Sequence, residues 1–455
     1  MNMTKKELEE MHKNFPEILT SPIIMEEPNT PIPIFQGTFK LKRDETEIEL
    51  KGKIQFVWFP NSGTIFSGFV INRSSDILKE IQSNEIYQLI VDGLPFGECL
   101  ISNFTLSGAS GDIELVGTIT GCAVKGDKSI PVEKIVFTIP NFRDFLGLPV
   151  KRVSVRGLKN GRNRLLFEND KYTIIIDKGF DYKDKKKSLS SNGGYILLYT
   201  GELKKKKGNL TLENSQEIFH CFATFLSFLN GRRISPIFRT GYFEDKIIWS
   251  DYTDYIVDQY KAVISWPQTH SINGLNELWQ AFTNIWKNEE DNGFLISAIH
   301  WYIEANSHSG YTEGSIIMAQ TGLELIYNWL LIENKKLLIG KDAENISASN
   351  KIRLLLAHLN IDTVIPNNFS HLQSLPDIMD APESFVQIRN AIVHSQEEKR
   401  KKLTKMHYRA KYEALQIGVW WLELSLLFIL EYKGVYVNRC SPNNFEAKKK
   451  SDFFL

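Results

Sequence analysis

The pattern of apolar residues changes near residue 270, and this change constrains the fold more than any other feature of the chain. Before it, short β-branched and aromatic runs are separated by Gly, Asn and Asp, a pattern typical of antiparallel strands. After it, apolar residues recur at helical spacing with short polar connections. At 455 residues the chain is long enough to hold both parts as separate domains.

The lengths of the strand-like runs predict a sandwich or a partly closed barrel. We therefore predict an α+β multidomain protein with a leader at 1–30, an antiparallel β-rich domain at 31–270 that a helix at 214–233 closes, and an all-α bundle at 271–455. The predicted bundle helices are 274–289, 293–307, 313–333, 346–359, 381–395 and 403–432.

Charge and cysteine content exclude several classes of protein. The formal net charge is zero, so any site for a polyanion must be local. The four cysteines are scattered with no CxxC pair, which predicts free thiols in a reducing compartment rather than a zinc site or a disulfide framework. The first residues are charged and lack an apolar core, unlike a secretory signal. We expect a cytoplasmic protein without a cofactor or metal.

The most apolar run, residues 414–430, is about as long as a membrane span. Glu423 lies near its centre, where a carboxylate in lipid would be costly. The run is therefore interpreted as a buried bundle helix, and no membrane association is expected.

The stretch ESFVQIRNAIVHSQEEKRKK contains the strongest chemical signal. Its helix is predicted to start at the N-cap Asp380, with Pro382 in the first turn and Glu383 at the capping-box position. Phe385 and the apolar residues one and two turns later form the face predicted to be buried.

Arg389, Asn390 and His394 lie on this helix outside its apolar face. Asn390 and His394 are one turn apart, and His394 is expected in the last turn of a helix that ends near Ser395. Histidine can act as acid or base near neutral pH, and arginine donates to phosphate oxygens. This group suits metal-independent cleavage of RNA by its own 2′-hydroxyl. Since one chain supplies one histidine here, the mechanism favours a two-fold homodimer.

The spacing by itself is not specific. The same arginine-to-histidine separation occurs, within one or two residues, for Arg353 and His358 and for Arg400 and His407. Whether those two pairs contribute to the chemistry is open at this point. Packing would explain the first pair, and a charged turn would explain the second.

Two neighbouring features favour residues 389–394. A basic stripe at 399–411 has no acidic residue and could hold an RNA backbone, although a solvated helix start is the simpler alternative. In the preceding long helix, Glu324 is predicted to face Arg389 and to orient it. The candidate RNA-binding residues are Lys399, Arg400, Lys401, Lys402, Lys405, His407 and Arg409.

Several of these sequence segments resemble those of a known family. RNAIVH at 389–394 resembles the Arg-x4-6-His motif of the HEPN ribonuclease superfamily, and GLELIYNWL is similar to the segment of ApeA-like HEPN domains that precedes it. IVFTIPNFRDFLG at 135–147 and FLSFLNGRR at 225–233 resemble the ApeA N-terminal domain.

The resemblance implies a dimeric endoribonuclease without a metal, used in ApeA-type bacterial anti-phage defence to cut host RNA, for example tRNA. Arg389 and His394 would be catalytic, Asn390 part of the motif and Glu324 supporting. The β-rich domain would sense a phage-derived trigger. The alternative is a non-catalytic HEPN-like dimerisation or binding module with a β-rich sensing domain.

Overall fold

The computed structural model describes residues 10, 12, 14–71, 81, 85–106, 112–154, 157–270, 274–307, 311–394, 397–441 and 447–449. The chain forms two compact units, one made of Met1–Phe222 and Ile234–Tyr260 and the other of Ala223–Arg233 and Lys261–Leu455. The first is rich in strands and the second is helical, so the predicted α+β multidomain class is confirmed.

The first strands of the β-rich unit close into an antiparallel barrel. The order around it is β1-β2-β3-β6-β5-β4. Along β2, Ile48, Leu50, Ile54 and Phe56 are buried, because alternate side chains of a barrel strand point inward. The strands are β1 (Ile32–Arg43), β2 (Thr46–Val57), β3 (Gly63–Val70), β4 (Ile86–Val91), β5 (Leu94–Leu106) and β6 (Ile113–Thr120).

The remaining strands of this unit form an eight-stranded antiparallel sheet in the order β7-β14-β13-β8-β12-β11-β10-β9. They are β7 (Val124–Gly126), β8 (Lys134–Pro140), β9 (Leu148–Ser154), β10 (Gly157–Glu168), β11 (Tyr172–Lys178), β12 (Leu197–Lys205), β13 (Ile237–Phe243) and β14 (Lys246–Asp251); helix α1 (Tyr182–Asn192) precedes β12. The predicted closing helix is α2 (Gln216–Asn230). Its Phe219 packs edge-on against Phe137 of the sheet, with ring centroids 5.3 Å apart.

The helical unit follows the predicted helices closely, and the largest difference is in the last of them. The predicted helix 403–432 is two helices, because the chain leaves helical geometry at Met406 and His407 caps the next helix. The elements are α3 (Leu275–Trp286), α4 (Glu289–Asn306), α5 (Tyr311–Tyr327) continuing as a π-helix (Asn328–Asn334), α6 (Lys341–Glu344), α7 (Ala348–His358), α8 (Ser370–Gln373), α9 (Ala381–Val393), α10 (Glu397–Lys405), α11 (Tyr408–Ile429), and the strand pair β15 (Val435–Val437) and β16 (Ala447–Lys449).

Two helical segments, Tyr311–Asn334 and Tyr408–Ile429, are long and apolar enough to cross a membrane by length and composition alone. In both, more than half of the apolar window is buried inside the protein (56% and 72%). Glu423, in the second segment, accepts a hydrogen bond from the Arg439 Nε at 2.9 Å. A carboxylate paired inside the protein and a mostly buried surface favour the interpretation as core helices.

The four cysteines are unpaired thiols. Cys99, Cys221 and Cys440 are buried, as expected, whereas Cys122 is exposed. Burial raises the pKa of Cys99 to about 12, so this thiol stays protonated at neutral pH.

Candidate active site

Helix α9 begins as the sequence predicts. The Asp380 carboxylate accepts a hydrogen bond from the Glu383 backbone N–H at 2.9 Å, and Pro382 stands in the first turn. The Glu383 side chain reaches back to the backbone N–H of Met379 at 3.3 Å. The first contact satisfies an N–H group that a helix start leaves without an intrahelical partner, and the second holds the residue just before the cap, so the start of the candidate helix is well defined.

The buried face of α9 packs on the final long helix, α11. Phe385 and Ile388 are fully buried, and the Phe385 ring lies edge-on to Trp421 at 5.9 Å. A Cβ at Gly418 would lie 2.5 Å from the Phe385 ring. Glycine at this position therefore lets α9 approach α11 closely, which sets where the polar residues of α9 lie.

Arg353 ties α7 to the start of α9. Its Nε and Nη2 donate to the two Asp380 oxygens at 2.6 and 2.8 Å, and Glu383 lies 3.5 Å away. His358 is the histidine of the alternative pair with Arg353. Its ring packs edge-on to Phe428 at 5.8 Å. Burial, with the nearby charge of a lysine, lowers the pKa of His358. The structure therefore gives Arg353 a positioning role at α9.

Arg389, Asn390 and His394 lie within six residues of one another at the C-terminal end of α9, and the first two are in side-chain contact. The Arg389 Nη1 donates to the Asn390 Oδ1 at 3.2 Å, and the buried Nε has no hydrogen-bond partner among the described residues. The His394 backbone N–H donates to the Asn390 carbonyl at 3.0 Å. Arg389 is half-buried and His394 exposed, so one group is held by its surroundings and the other faces solvent.

The expected position of His394 is corrected by one residue. The helix ends at Val393, and His394 is the C-cap with φ −92° and ψ 105°. These angles are extended, so the chain leaves the helix after His394. The predicted end near Ser395 lies outside the described residues.

Glu324 does not orient Arg389, contrary to the prediction. Its carboxylate accepts a hydrogen bond from the Lys351 Nζ of α7 at 2.9 Å. Among the described residues it makes no ion pair with Arg389. The rotation of α5 brings Glu324 to α7 rather than to α9, and helical spacing within α5 contains no information about that rotation.

The basic stripe is divided between two helices: residues 399–405 belong to a separate short helix, α10, and residues 408–411 form the start of α11. Glu397 and Glu398 occupy the first turn of α10, where they complement the helix dipole. Lys401 pairs with Glu397 at 2.6 Å, and Lys405 is exposed. Lys399, Arg400 and Lys402 are helical, and their side chains lie outside the described part of the chain.

His407 and Arg409 lie at the start of α11. The His407 Nδ1 accepts from the Arg409 N–H at 3.2 Å and so caps this helix. The His407 ring also stacks on His371 of α8, with centroids 4.4 Å apart and planes 7° apart. Sequence reasoning missed His371, because nothing in its local pattern indicates a partner so distant in the chain.

Metal-ligating side chains do not cluster in the described ranges: no group of three or more His, Cys, Asp or Glu is placed to hold an ion. At the end of α9 the structure places the Arg389 guanidinium against the Asn390 carboxamide, and the exposed His394 follows at the C-cap.

Comparison with known proteins places the chain in a family. Residues 127–263 match the YopA central domain, and residues 288–450 match the YopA C-terminal domain. The chain is 30% identical over 423 residues to the SPbeta prophage-derived uncharacterized protein YopA of Bacillus subtilis (strain 168), covering 90% of this chain and 92% of that relative. The chain belongs to the YopA family. No solved structure matches it.

The two YopA domains correspond to different parts of the fold. The YopA central domain covers α2 and the eight-stranded sheet apart from β7, and the YopA C-terminal domain covers α4 to α11 with the candidate residues of α9. The barrel lies before both matches. In this YopA-family protein the candidate chemistry therefore belongs to the C-terminal domain.

Replacing Asp380 with alanine is expected to destabilise the helical unit by about 1–2 kcal/mol at pH 7, since it removes the N-cap of α9 and the partner of Arg353. The Asp380→Asn variant keeps a capping oxygen and should lose less stability than Asp380→Ala. Chemical denaturation followed by far-ultraviolet circular dichroism measures both. An alanine variant as stable as wild type would contradict this role.

The loss of stability caused by Asp380→Ala should depend on pH in a defined direction. Burial raises the pKa of Asp380, but hydrogen bonds from Arg353 and from the Glu383 N–H outweigh it and hold the pKa below its ordinary value. A carboxyl with a lowered folded-state pKa stabilises the fold above its unfolded-state pKa and loses this contribution as pH falls through the folded-state value. The difference between wild type and Asp380→Ala should therefore shrink below about pH 4. A difference that grows on acidification would contradict this assignment.

Proposed function

We propose that this protein is a metal-independent endoribonuclease of the HEPN type that acts as a homodimer and uses Arg389 and His394. The observation that supports it best is the end of α9, where a half-buried guanidinium held by Asn390 lies five residues before an exposed histidine. The Arg-x4-6-His spacing of HEPN ribonucleases is present in the same place. The proposed partner is RNA, for example a host tRNA, and the proposed compartment is the cytoplasm.

The chemistry would run without a bound ion. The His394 imidazole takes the proton of a ribose 2′-hydroxyl, the 2′-oxygen bonds to phosphorus, and the bond from phosphorus to the 5′-oxygen breaks. The leaving 5′-oxygen receives a proton from an imidazolium, supplied by His394 of the partner subunit. Arg389 neutralises the charge that develops on the phosphoryl oxygens. The products are a 2′,3′-cyclic phosphate and a 5′-hydroxyl.

The biological role we propose is anti-phage defence by abortive infection, in which the enzyme cuts host RNA and halts the infected cell. The prophage-derived name of the B. subtilis relative is compatible with a function in phage biology. A free ribonuclease would poison its host. We therefore assign the sensing of a phage-derived trigger to the β-rich unit.

The reaction is tested with protein purified from uninfected and from phage-infected cells, incubated in excess EDTA with total RNA and with a synthetic RNA that carries single 2′-deoxyribose substitutions. We expect cutting to persist with EDTA, to stop at positions where the nucleotide carries 2′-deoxyribose, and to leave cyclic phosphate ends. The 2′-deoxy substitution removes the nucleophile, so we expect no cleavage at the substituted position. Cutting that EDTA abolishes and Mg²⁺ restores would reject the mechanism.

A further inference from the structure

An open pocket of about 1080 Å³ lies in the helical unit beside the candidate helix. Ile392 of α9 lines it, and Ile392 is three residues after Arg389, hence on a neighbouring part of the same helix surface. The other walls come from the start of α5, from the segment at α8 and from the first turns of α11. The pocket therefore borders the helix that carries the proposed catalytic residues.

Three tyrosines line this pocket with much of their surface in solvent. Tyr311 is 87% exposed, Tyr408 67% and Tyr412 45%. Large exposed aromatic rings that line one pocket are unusual on a soluble surface, where apolar groups gain free energy by burial. Such rings are also the side chains on which unpaired nucleobases stack.

The Tyr408 ring lies against a stacked pair of histidine rings. His371 stacks on His407 at 4.4 Å, and His407 lies against Tyr408 at 4.8 Å with planes 30° apart. The Arg409 guanidinium lies 6.0 Å from the same ring and its Nε donates to the Tyr408 hydroxyl at 3.3 Å. These contacts hold the ring in place, so a base that stacks on it need not first order it.

The charges around the pocket suit a phosphodiester chain. The acidic Glu313 is paired with Lys411 at 2.6 Å, and Glu413 accepts the Leu372 backbone N–H at 2.7 Å. Both carboxylates are thus engaged within the protein. Arg409 lines the pocket and is exposed, and the sequence that leads into α11 is rich in lysine. A single nucleic-acid strand needs this combination of cations for its phosphates and rings for its bases.

We propose that this pocket binds unpaired bases of a single-stranded RNA segment, with Tyr408 and Tyr412 as stacking platforms. The proposal rests on the proposed ribonuclease function, for which it names the substrate class as single-stranded or looped RNA. The pocket would hold nucleotides next to the phosphate that lies at Arg389 and His394. A duplex keeps its bases stacked inside and would not enter.

The test measures binding apart from cleavage. The probe is a fluorescein-labelled, fully 2′-O-methylated single-stranded RNA, which has no free 2′-hydroxyl, with fluorescence anisotropy as the readout. The full-length Tyr408→Ala/Tyr412→Ala variant is expected to bind roughly 5- to 150-fold more weakly for each base stack that is lost. Tyr408→Phe keeps the ring and should bind like wild type. Phe104→Ala removes an exposed ring from the barrel and should have no effect.

The outcomes separate this inference from the proposed function. His394→Ala should bind the probe like wild type while it fails to cut cleavable RNA. If wild type cuts RNA but the double tyrosine variant binds and cuts equally well, the pocket inference is wrong and the ribonuclease stands. If that variant instead loses its dimer in sedimentation velocity at unchanged RNA affinity, the rings face a second copy and the inference is overturned. Equal affinity for the probe and for its duplex would overturn it too.

Discussion

Replacing His394 with alanine is expected to slow RNA cleavage by about 100- to 10,000-fold, the range that a positioned acid or base contributes. The side chain is exposed at the C-cap of α9, and its only described hydrogen bond is made by the backbone N–H, which alanine keeps. The melting temperature should therefore stay within the small range of surface substitutions. Initial rates on a defined RNA in EDTA, together with a thermal scan, provide both readouts.

A matched control is available in the same unit. His300 is an exposed histidine of α4, and His300→Ala removes the same chemical group at a position away from α9. We expect this variant to cut RNA at the wild-type rate. If His394→Ala retains full activity, or if it loses activity only together with its fold, the catalytic assignment fails. The non-catalytic binding module would then be the better interpretation.

Replacing Arg439 with alanine is expected to destabilise the helical unit by about 3–5 kcal/mol, because it leaves a buried carboxylate without its counter-charge. Arg439 donates from two nitrogens to Glu423, at 2.9 and 2.5 Å, and both side chains are buried. Tyr302 and Asn306 complete the network, with bonds of 3.0 and 2.9 Å. For a unit of this size the loss corresponds to a fall in melting temperature of roughly 6–20 °C.

The pKa values of this network agree with a charged pair. Burial lowers the pKa of the Arg439 guanidinium, but the Glu423 carboxylate outweighs burial and raises the pKa above its ordinary value. Burial, with the same carboxylate, raises the pKa of Tyr302 well above its usual range. The tyrosine therefore stays protonated at neutral pH and donates its hydrogen bond to Glu423.

A double replacement provides the control for this prediction. In Glu423→Leu/Arg439→Met both charges are absent, so no unpaired ion is buried, and the variant should be more stable than Arg439→Ala. Differential scanning calorimetry resolves the transition of the helical unit. If Arg439→Ala has the same melting temperature as the wild type, the Glu423–Arg439 pair does not hold residues 435–441 to the bundle in solution.

Features that depend on a few consecutive residues could be read from the sequence. The change from strand to helix spacing, the start of α9 at Asp380 and the bundle helices are of this kind, because side-chain period and capping operate within one or two turns. The break at His407 was missed, since its capping bond depends on a ring nitrogen that is not a common N-cap acceptor. The polar group of α9 was identified, but the exact end of the helix was not.

The tertiary structure alone decided which side chains meet. Glu324 pairs with Lys351 instead of Arg389, Arg353 binds Asp380, and His371 stacks on His407. Each of these contacts depends on how one helix is rotated and placed against another. That arrangement is set by the packing of all buried faces together, with features such as Gly418 against Phe385. Local pattern thus determined the elements and the candidate residues, and packing determined their partners.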